Sequence, residues 1–153
     1  MNCQDVRAYL LGKPAAFEDF PFRLDVAVMK VGDKMFATLA ARDGAASMNL
    51  KCDPHEALIL RDIFPAVKPG YHMNKRHWNT IMLDGTVPAG ELRRMIDNSY
   101  TLVVRGMRRA QRQPLEIRYG LEALYGSAAH NDQNRLRALR DGLPTNAQRR
   151  ESS

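Results

Sequence analysis

Residues Pro69 to Trp78 read PGYHMNKRHW and hold the densest set of chemically capable side chains in the chain. Tyr71, His72, Asn74, Lys75, Arg76, His77 and Trp78, the only tryptophan, all lie within this stretch. Four kinds of role can use such a set. Paired histidines can begin a zinc site, an imidazole can move a proton, cations beside an aromatic can hold nucleic acid, and a polar turn can simply be solvated.

Each chemistry has requirements that the rest of the sequence meets or fails. Zinc needs at least a third protein ligand, and Cys3, Cys52, His55 and His130 do not stand at ligand spacing from His72 and His77. Nucleophilic catalysis needs an activated serine or cysteine. None sits in a recognisable elbow, and neither a glycine-rich phosphate loop nor a paired-carboxylate motif occurs, so no catalytic residue and no cofactor or metal is expected. Nucleic-acid binding asks for less. Lys75 and Arg76 at a protruding turn reach phosphates, Asn74, His72 and His77 donate hydrogen bonds, and Tyr71 or Trp78 stacks on a base. Lys51 and Lys68 extend that patch. The alternative is a small-molecule or protein-interaction pocket lined by His72, Asn74, His77 and Trp78. Beside both stands a purely architectural reading, with Trp78 in the core and Lys75-Arg76 a solvated turn.

Which groups can meet depends on the turn. A two-residue hairpin at Asn74-Lys75 sets His72 opposite His77 and Tyr71 opposite Trp78. A four-residue loop from Asn74 to His77 pairs Met73 with Trp78 instead. The sequence leaves both open.

The elements that must position this segment read as follows. Asn2 caps a first helix over about residues 3–11, closed by Gly12 and Pro14. RLDVAVMKV alternates, with Leu24, Val26 and Val28 on one side of a strand, and Gly32-Asp33 turns it into KMFATLAA. A further turn at RDGAA leads to SMNLK, which gives a three-stranded antiparallel meander. Asp53-Pro54 with Glu56 starts a second helix that runs to about Phe64, buried through Leu58, Ile59 and Phe64. WNTIML is a fourth strand, with Trp78, Thr80 and Met82 on one side and Ile81 and Leu83 on the other. After Pro88, Leu92, Met95, Ile96, Ser99, Leu102 and Val103 share the stripe of a third helix. Arg105, Arg108, Arg109 and Arg112 are spaced as one helical face, and Pro114 interrupts it. Strands and helices in this order predict an α+β two-layer sandwich, an antiparallel sheet of four to six strands backed by helices.

A chain of 153 residues suits one domain, here residues 1–112, followed by a basic, partly disordered extension over 113–153. The net charge of +6 is unevenly spread: residues 1–104 carry 13 Lys and Arg against 12 Asp and Glu, and residues 105–153 carry 10 against 5. High basicity therefore describes mainly the C-terminal third. The start, MNCQDVRAYLLGKP, lacks the pattern of a secretory signal, and no stretch approaches the ~18 apolar residues of a spanning helix. A cytoplasmic protein with no membrane partner is expected, its two cysteines free thiols, as a monomer or homodimer.

The block HMNKRHWNTIMLDGTVP resembles the signature of the MmcQ/YjbR family of small bacterial proteins, in which His-x-Asn-Lys-x-His-Trp precedes a strand and Asp-Gly. GKP after the first helix, DVAVMKVGDKMFATL, SMNLKCDP and IDNSYTLVV agree, over about residues 1–110. The resemblance implies a fold similar to CyaY, the bacterial frataxin. It also implies DNA binding through a double-wing arrangement of hairpins, with His72, Asn74, Lys75, His77, Trp78 and Lys51 matching family positions and Arg76 at a variable one. Frataxins gather carboxylates on the first helix for iron. Here that helix offers only Asp5, so iron handling is not expected.

Overall fold

The computed structural model describes residues 1–126 of the chain. In order they form α1 (Cys3–Leu11), β1 (Phe17–Asp19), β2 (Val26–Val31), β3 (Lys34–Arg42), β4 (Ala45–Lys51), α2 (Pro54–Ile63), β5 (Val67–Pro69), β6 (Trp78–Met82), α3 (Ala89–Arg105), α4 (Arg109–Tyr119) and α5 (Leu121–Tyr125). The six strands make one antiparallel sheet in the order β1-β2-β3-β4-β6-β5, and helices pack on it as the α+β sandwich reading requires. The return of the chain through α2 brings β6 beside β4 and leaves β5 at the edge.

Local chemistry accounts for the helix starts. At α1 the Asn2 side chain accepts from the Asp5 N–H at 2.8 Å and the Asp5 carboxylate accepts from the Asn2 N–H at 3.1 Å, a reciprocal capping box. At α2 the Asp53 carboxylate accepts from the N–H groups of His55 and Glu56, while Pro54 occupies the first turn, where its missing donor costs nothing.

Register sorts the strand side chains onto two faces. Met29, Ala37, Leu39, Met48, Leu50 and Ile81 point to one, where they join Val6 and Leu10 of α1, Leu60 of α2 and Leu92, Ile96 and Tyr100 of α3 in a single core. Each buried Val, Leu, Ile or Met among them contributes roughly 1.5–3 kcal/mol by leaving water. Phe36 meets Tyr100 edge-on, ring centroids 5.3 Å apart, and the Tyr100 hydroxyl donates to the Pro14 carbonyl at 2.6 Å. Beside it the Asp97 carboxylate accepts from the Tyr9 hydroxyl at 2.8 Å and the Lys13 ammonium at 2.9 Å. The GKP and IDNSY segments, far apart in sequence, thus meet as one structural unit.

Several expectations need correction. Leu24 is 91 % exposed, because residues 23–26 form a turn and β2 begins only at Val26. On α2 Ala57 and Leu60 are buried and Ile59 and Phe64 pack against the core, while Leu58, expected there too, is 62 % exposed. Arg105 ends α3 and Arg112 lies on α4, with Gly106 and Met107 between, so the four arginines do not share a helical face. Pro114 does not end its helix. Leu115 and Tyr119, one turn apart, pack against the core and hold α4 together through the proline. The expected boundary at 112/113 falls inside α4, and Leu124 of α5 is buried, its carbonyl accepting from the Thr101 hydroxyl at 2.9 Å. The tail from Ser127, including the short helix expected at NRLRALR, lies outside the described residues.

Candidate functional site

The Pro69–Trp78 segment forms neither of the two hairpins. β5 ends at Pro69, which pairs with Asn79, and the chain closes only through the Gly70 N–H to the Trp78 carbonyl at 2.9 Å. Residues 70–77 are therefore one longer loop, and neither His72 opposite His77 nor Met73 opposite Trp78 occurs. Gly70 is required there. A Cβ at this position would lie 2.9 Å from both the Cβ and the carbonyl oxygen of Trp78 and 3.0 Å from the Cβ of Met73. His72 takes a left-handed conformation (φ 58) and its ring tilts against Tyr71 at 4.0 Å between centroids.

Two side chains expected to reach a ligand, those of Asn74 and Lys75, are spent on holding this loop. The Asn74 carboxamide accepts from the N–H groups of Arg76 (3.0 Å) and His77 (3.3 Å), an Asx turn. The Lys75 ammonium folds back to the Gly70 carbonyl at 3.1 Å. The His77 carbonyl accepts from the Cys52 N–H at 2.8 Å and so ties the loop's end to the end of β4. The main brace is Arg61 of α2, which the sequence reading did not single out. Its Nε donates to Asn79 Oδ1 at 2.7 Å, and Nη2 donates to the carbonyls of Lys75 and Trp78. An arginine in the last turn of a helix reads in sequence as a partner for the helix dipole, and nothing local announces this second task.

On the sheet face turned away from the core, one row of registered residues crosses every strand: Asp19, Val28, Thr38, Asn49, Thr80 and Lys68. The Thr80 hydroxyl donates to the Asn49 side chain and accepts from the Tyr71 N–H at 2.8 Å, so the loop is anchored onto this face. In the neighbouring row Lys51 and Trp78 are register partners. Trp78 is half-buried and stands outside the core cluster, which removes the architectural reading that put it in the core. The ammonium groups of Lys51 and Lys68 bond to no described residue, whereas Lys13 and Lys30 are ion-paired to Asp97 and Asp19. Thr86 holds the neighbouring Asp84 carboxyl below the usual carboxylate range through its hydroxyl and N–H, and Lys68 adds to this.

The nine candidate residues are thus divided. Lys51, Lys68 and Trp78 share a face, Tyr71 and His72 lie exposed beside it, Asn74, Lys75 and His77 shape the loop, and Arg76 faces α2. Arg76 lines an open groove of about 250 Å³ with Pro54, His55, Leu58 and Arg61. A second, much smaller recess of about 10 Å³ beside Cys52, Leu60 and Met95 has room for about one water. Neither is lined by His72, Asn74, His77 or Trp78. Among the described residues no group of three or more His, Cys, Asp or Glu is arranged to hold a metal ion, and no helix is long and apolar enough to cross a membrane. Burial pushes the Cys52 thiol up to about 12.

Residues 11–102 match the family model described as YjbR. The chain belongs to the YjbR family. It is 38% identical over 101 residues to YbdF of Escherichia coli O157:H7, which covers 66% of this chain and 81% of that one. To YjbR of Escherichia coli K12 it is 31% identical over 104 residues, 68% and 88% of the two chains. Both relatives are described as uncharacterized. Among solved structures, a Deinococcus radiodurans protein with the domain named DUF419 superposes with a TM-score of 0.70 at 38% identity, covering 79% of this chain and 92% of that one. A Pseudomonas syringae protein gives 0.62 at 31%, covering 67% and 99%. These YjbR-type neighbours share the described domain through the sheet and its helices.

Proposed function

We propose that this YjbR protein binds DNA through the sheet face turned away from the core, with Lys51 and Lys68 neutralising phosphates and Trp78 stacking on a base. The observation that carries the reading is the pairing of Lys51 with Trp78 across β4 and β6, an ammonium that bonds to no described residue beside the only tryptophan, on a face outside the core. Aromatic side chains on a sheet bind unpaired bases by stacking, worth about 1–3 kcal/mol per base, while cations track the backbone. Thr38 and Thr80 in the middle of the face are buried, so the contact falls to Lys51, Lys68 and Trp78 on β4, β5 and β6. Tyr71 and His72 at the rim extend it. Because duplex bases are already stacked, single-stranded DNA is the preferred form.

Trp78 is its own reporter. Titration with an oligothymidylate is expected to quench its fluorescence, and Trp78→Ala to weaken binding measured by anisotropy on a labelled strand. Each neutralised phosphate adds roughly 0.7 to the magnitude of the salt slope on single strands, so Lys51→Ala should flatten that slope by about this amount. No quenching and no anisotropy change at micromolar protein in low salt would end the proposal.

A further inference from the structure

We infer that the groove between α2 and the 70–77 loop binds a small phosphate monoester, with Arg61, Arg76 and His55 holding the phosphate and Leu58 and Pro54 receiving the apolar part. This site stands apart from the sheet face proposed for DNA, since Lys51, Lys68 and Trp78 do not line it.

Charge complementarity is the first argument. Three donor side chains line the groove and no carboxylate does. Asp53, just before Pro54, is occupied in capping the helix through the N–H groups of His55 and Glu56. The donors also have capacity to spare. The side chains of His55 and Arg76 bond to no described residue, and Arg61 spends Nε and Nη2 on the protein, which leaves Nη1. Arginine forks suit the tetrahedral oxygens of phosphate, and charge-assisted bonds to it are among the stronger hydrogen bonds.

Preorganisation is the second. Arg61 is already fixed by Asn79 and the carbonyls of Lys75 and Trp78, so little side-chain entropy is lost when an anion arrives. The exposed Leu58 is the third. It stands off the face of α2 that Ala57 and Leu60 bury, 62 % exposed, as a wall of a basic groove. That pairing fits a phosphate carrying an organic group better than inorganic phosphate. At about 250 Å³ the groove is below the ~300–1,000 Å³ of drug-sized sites, which limits the ligand to about a mononucleotide or less.

Calorimetry with phenyl phosphate, adenosine 5′-monophosphate and inorganic phosphate tests this on the full chain. The two esters are expected to bind at millimolar concentration or better, and inorganic phosphate more weakly. Arg76→Ala should weaken ester binding about ten-fold or more, the loss of a charge-assisted contact. Leu58→Ser should bring phenyl phosphate down to the level of inorganic phosphate. Lys51→Ala should change neither. Arg76 is exposed and only its backbone N–H serves the loop, so the variant should fold, with circular dichroism as the check. Absence of ester binding, or binding untouched by Arg76→Ala, overturns the assignment. So does loss through Lys51→Ala, or full competition by an oligonucleotide lacking terminal phosphates. These last outcomes would favour the sheet-face reading, whereas ester binding without any DNA binding would sink that reading alone.

Discussion

The hydroxyl of Ser99, in the middle of α3, accepts a hydrogen bond from the backbone N–H of Lys51 at 2.9 Å. The same hydroxyl donates to the Phe36 carbonyl at 2.5 Å. β3 and β4 part here: Ala37 with Leu50 is their last registered pair, and β3 carries a bulge at Phe36 against β2. One fully buried side chain thus replaces a missing rung and fixes the backbone of the lysine beside Trp78. Ser99→Ala would strand a buried carbonyl and an amide, each costing about 1–3 kcal/mol. A loss of about 2 kcal/mol or more is expected, read as a lower urea midpoint at unchanged m-value. A loss within experimental error would show that water replaces the hydroxyl.

Gly70→Ala tests the contact that closes the loop. Its Cβ would stand 2.9 Å from two atoms of Trp78, one of them a carbonyl oxygen, so backbone has to move. Overpacking of this kind costs about 1–3 kcal/mol. The displaced partner is the tryptophan, so its emission maximum should shift along with the melting temperature. Unchanged emission would mean that the loop absorbs the methyl elsewhere.

Arg61 is expected to be indispensable to the loop for geometric reasons. It reaches Asn79, which is 2 % exposed, and two carbonyls with one planar fork. Arg61→Ala should cost about 2–3 kcal/mol, and Arg61→Lys should recover little, because an ammonium cannot satisfy three acceptors in that plane. Hydrogen exchange at the His77 and Gly70 amides would show the loop opening. Full rescue by lysine would argue that charge alone matters.

Much of this architecture is readable in the sequence, and the parts that are not have physical reasons. The alternation in WNTIML is enough to set Trp78, Thr80 and Met82 on one side of a strand, and the register agrees. What alternation cannot supply is the neighbour. β5 is VKP, three residues with a proline, too short to carry any period, and without it the 70–77 loop reads as a tight hairpin. Asn74 and Lys75 look like ligand contacts because their bonds to nearby backbone depend on a loop shape that only Arg61, from another element, stabilises. Leu58 misleads for a different reason: an exposed leucine in a helix is indistinguishable by type from a buried one.

Alkaline pH should destabilise the fold, with a slope assignable to named groups. Burial, aided by the hydrogen bond to Asp97, pushes the Tyr9 phenol up from 10.0 to about 12, and burial raises the Cys52 thiol from 9.0 to about 12. Both are acids held in their neutral forms by the folded state. Their contribution is complete below the unfolded values and is lost as pH rises toward the folded ones. Unfolding free energy should therefore fall from about pH 9 upward. Tyr9→Phe should remove part of the slope above pH 10 and Cys52→Ala part of that starting at pH 9. Variants with the wild-type slope would show that other groups carry it.

Trp78→Ala separates function from architecture. A tryptophan in the core would cost about 3–5 kcal/mol on truncation. Trp78 is half-buried and outside the core cluster, on the sheet face opposite the helices, with its Cβ close to Gly70. Its side chain closes no cavity between sheet and helices, and Ile81 and Asn79, the residues of β6 that do face the helices, stay in place. A cost of about 1 kcal/mol is therefore expected, the scale of a partly exposed aromatic contact on a sheet. Measured by urea unfolding, a loss near the core figure would return Trp78 to an architectural role. A small loss accompanied by weakened binding to single-stranded DNA would leave the side chain stable, available and in use.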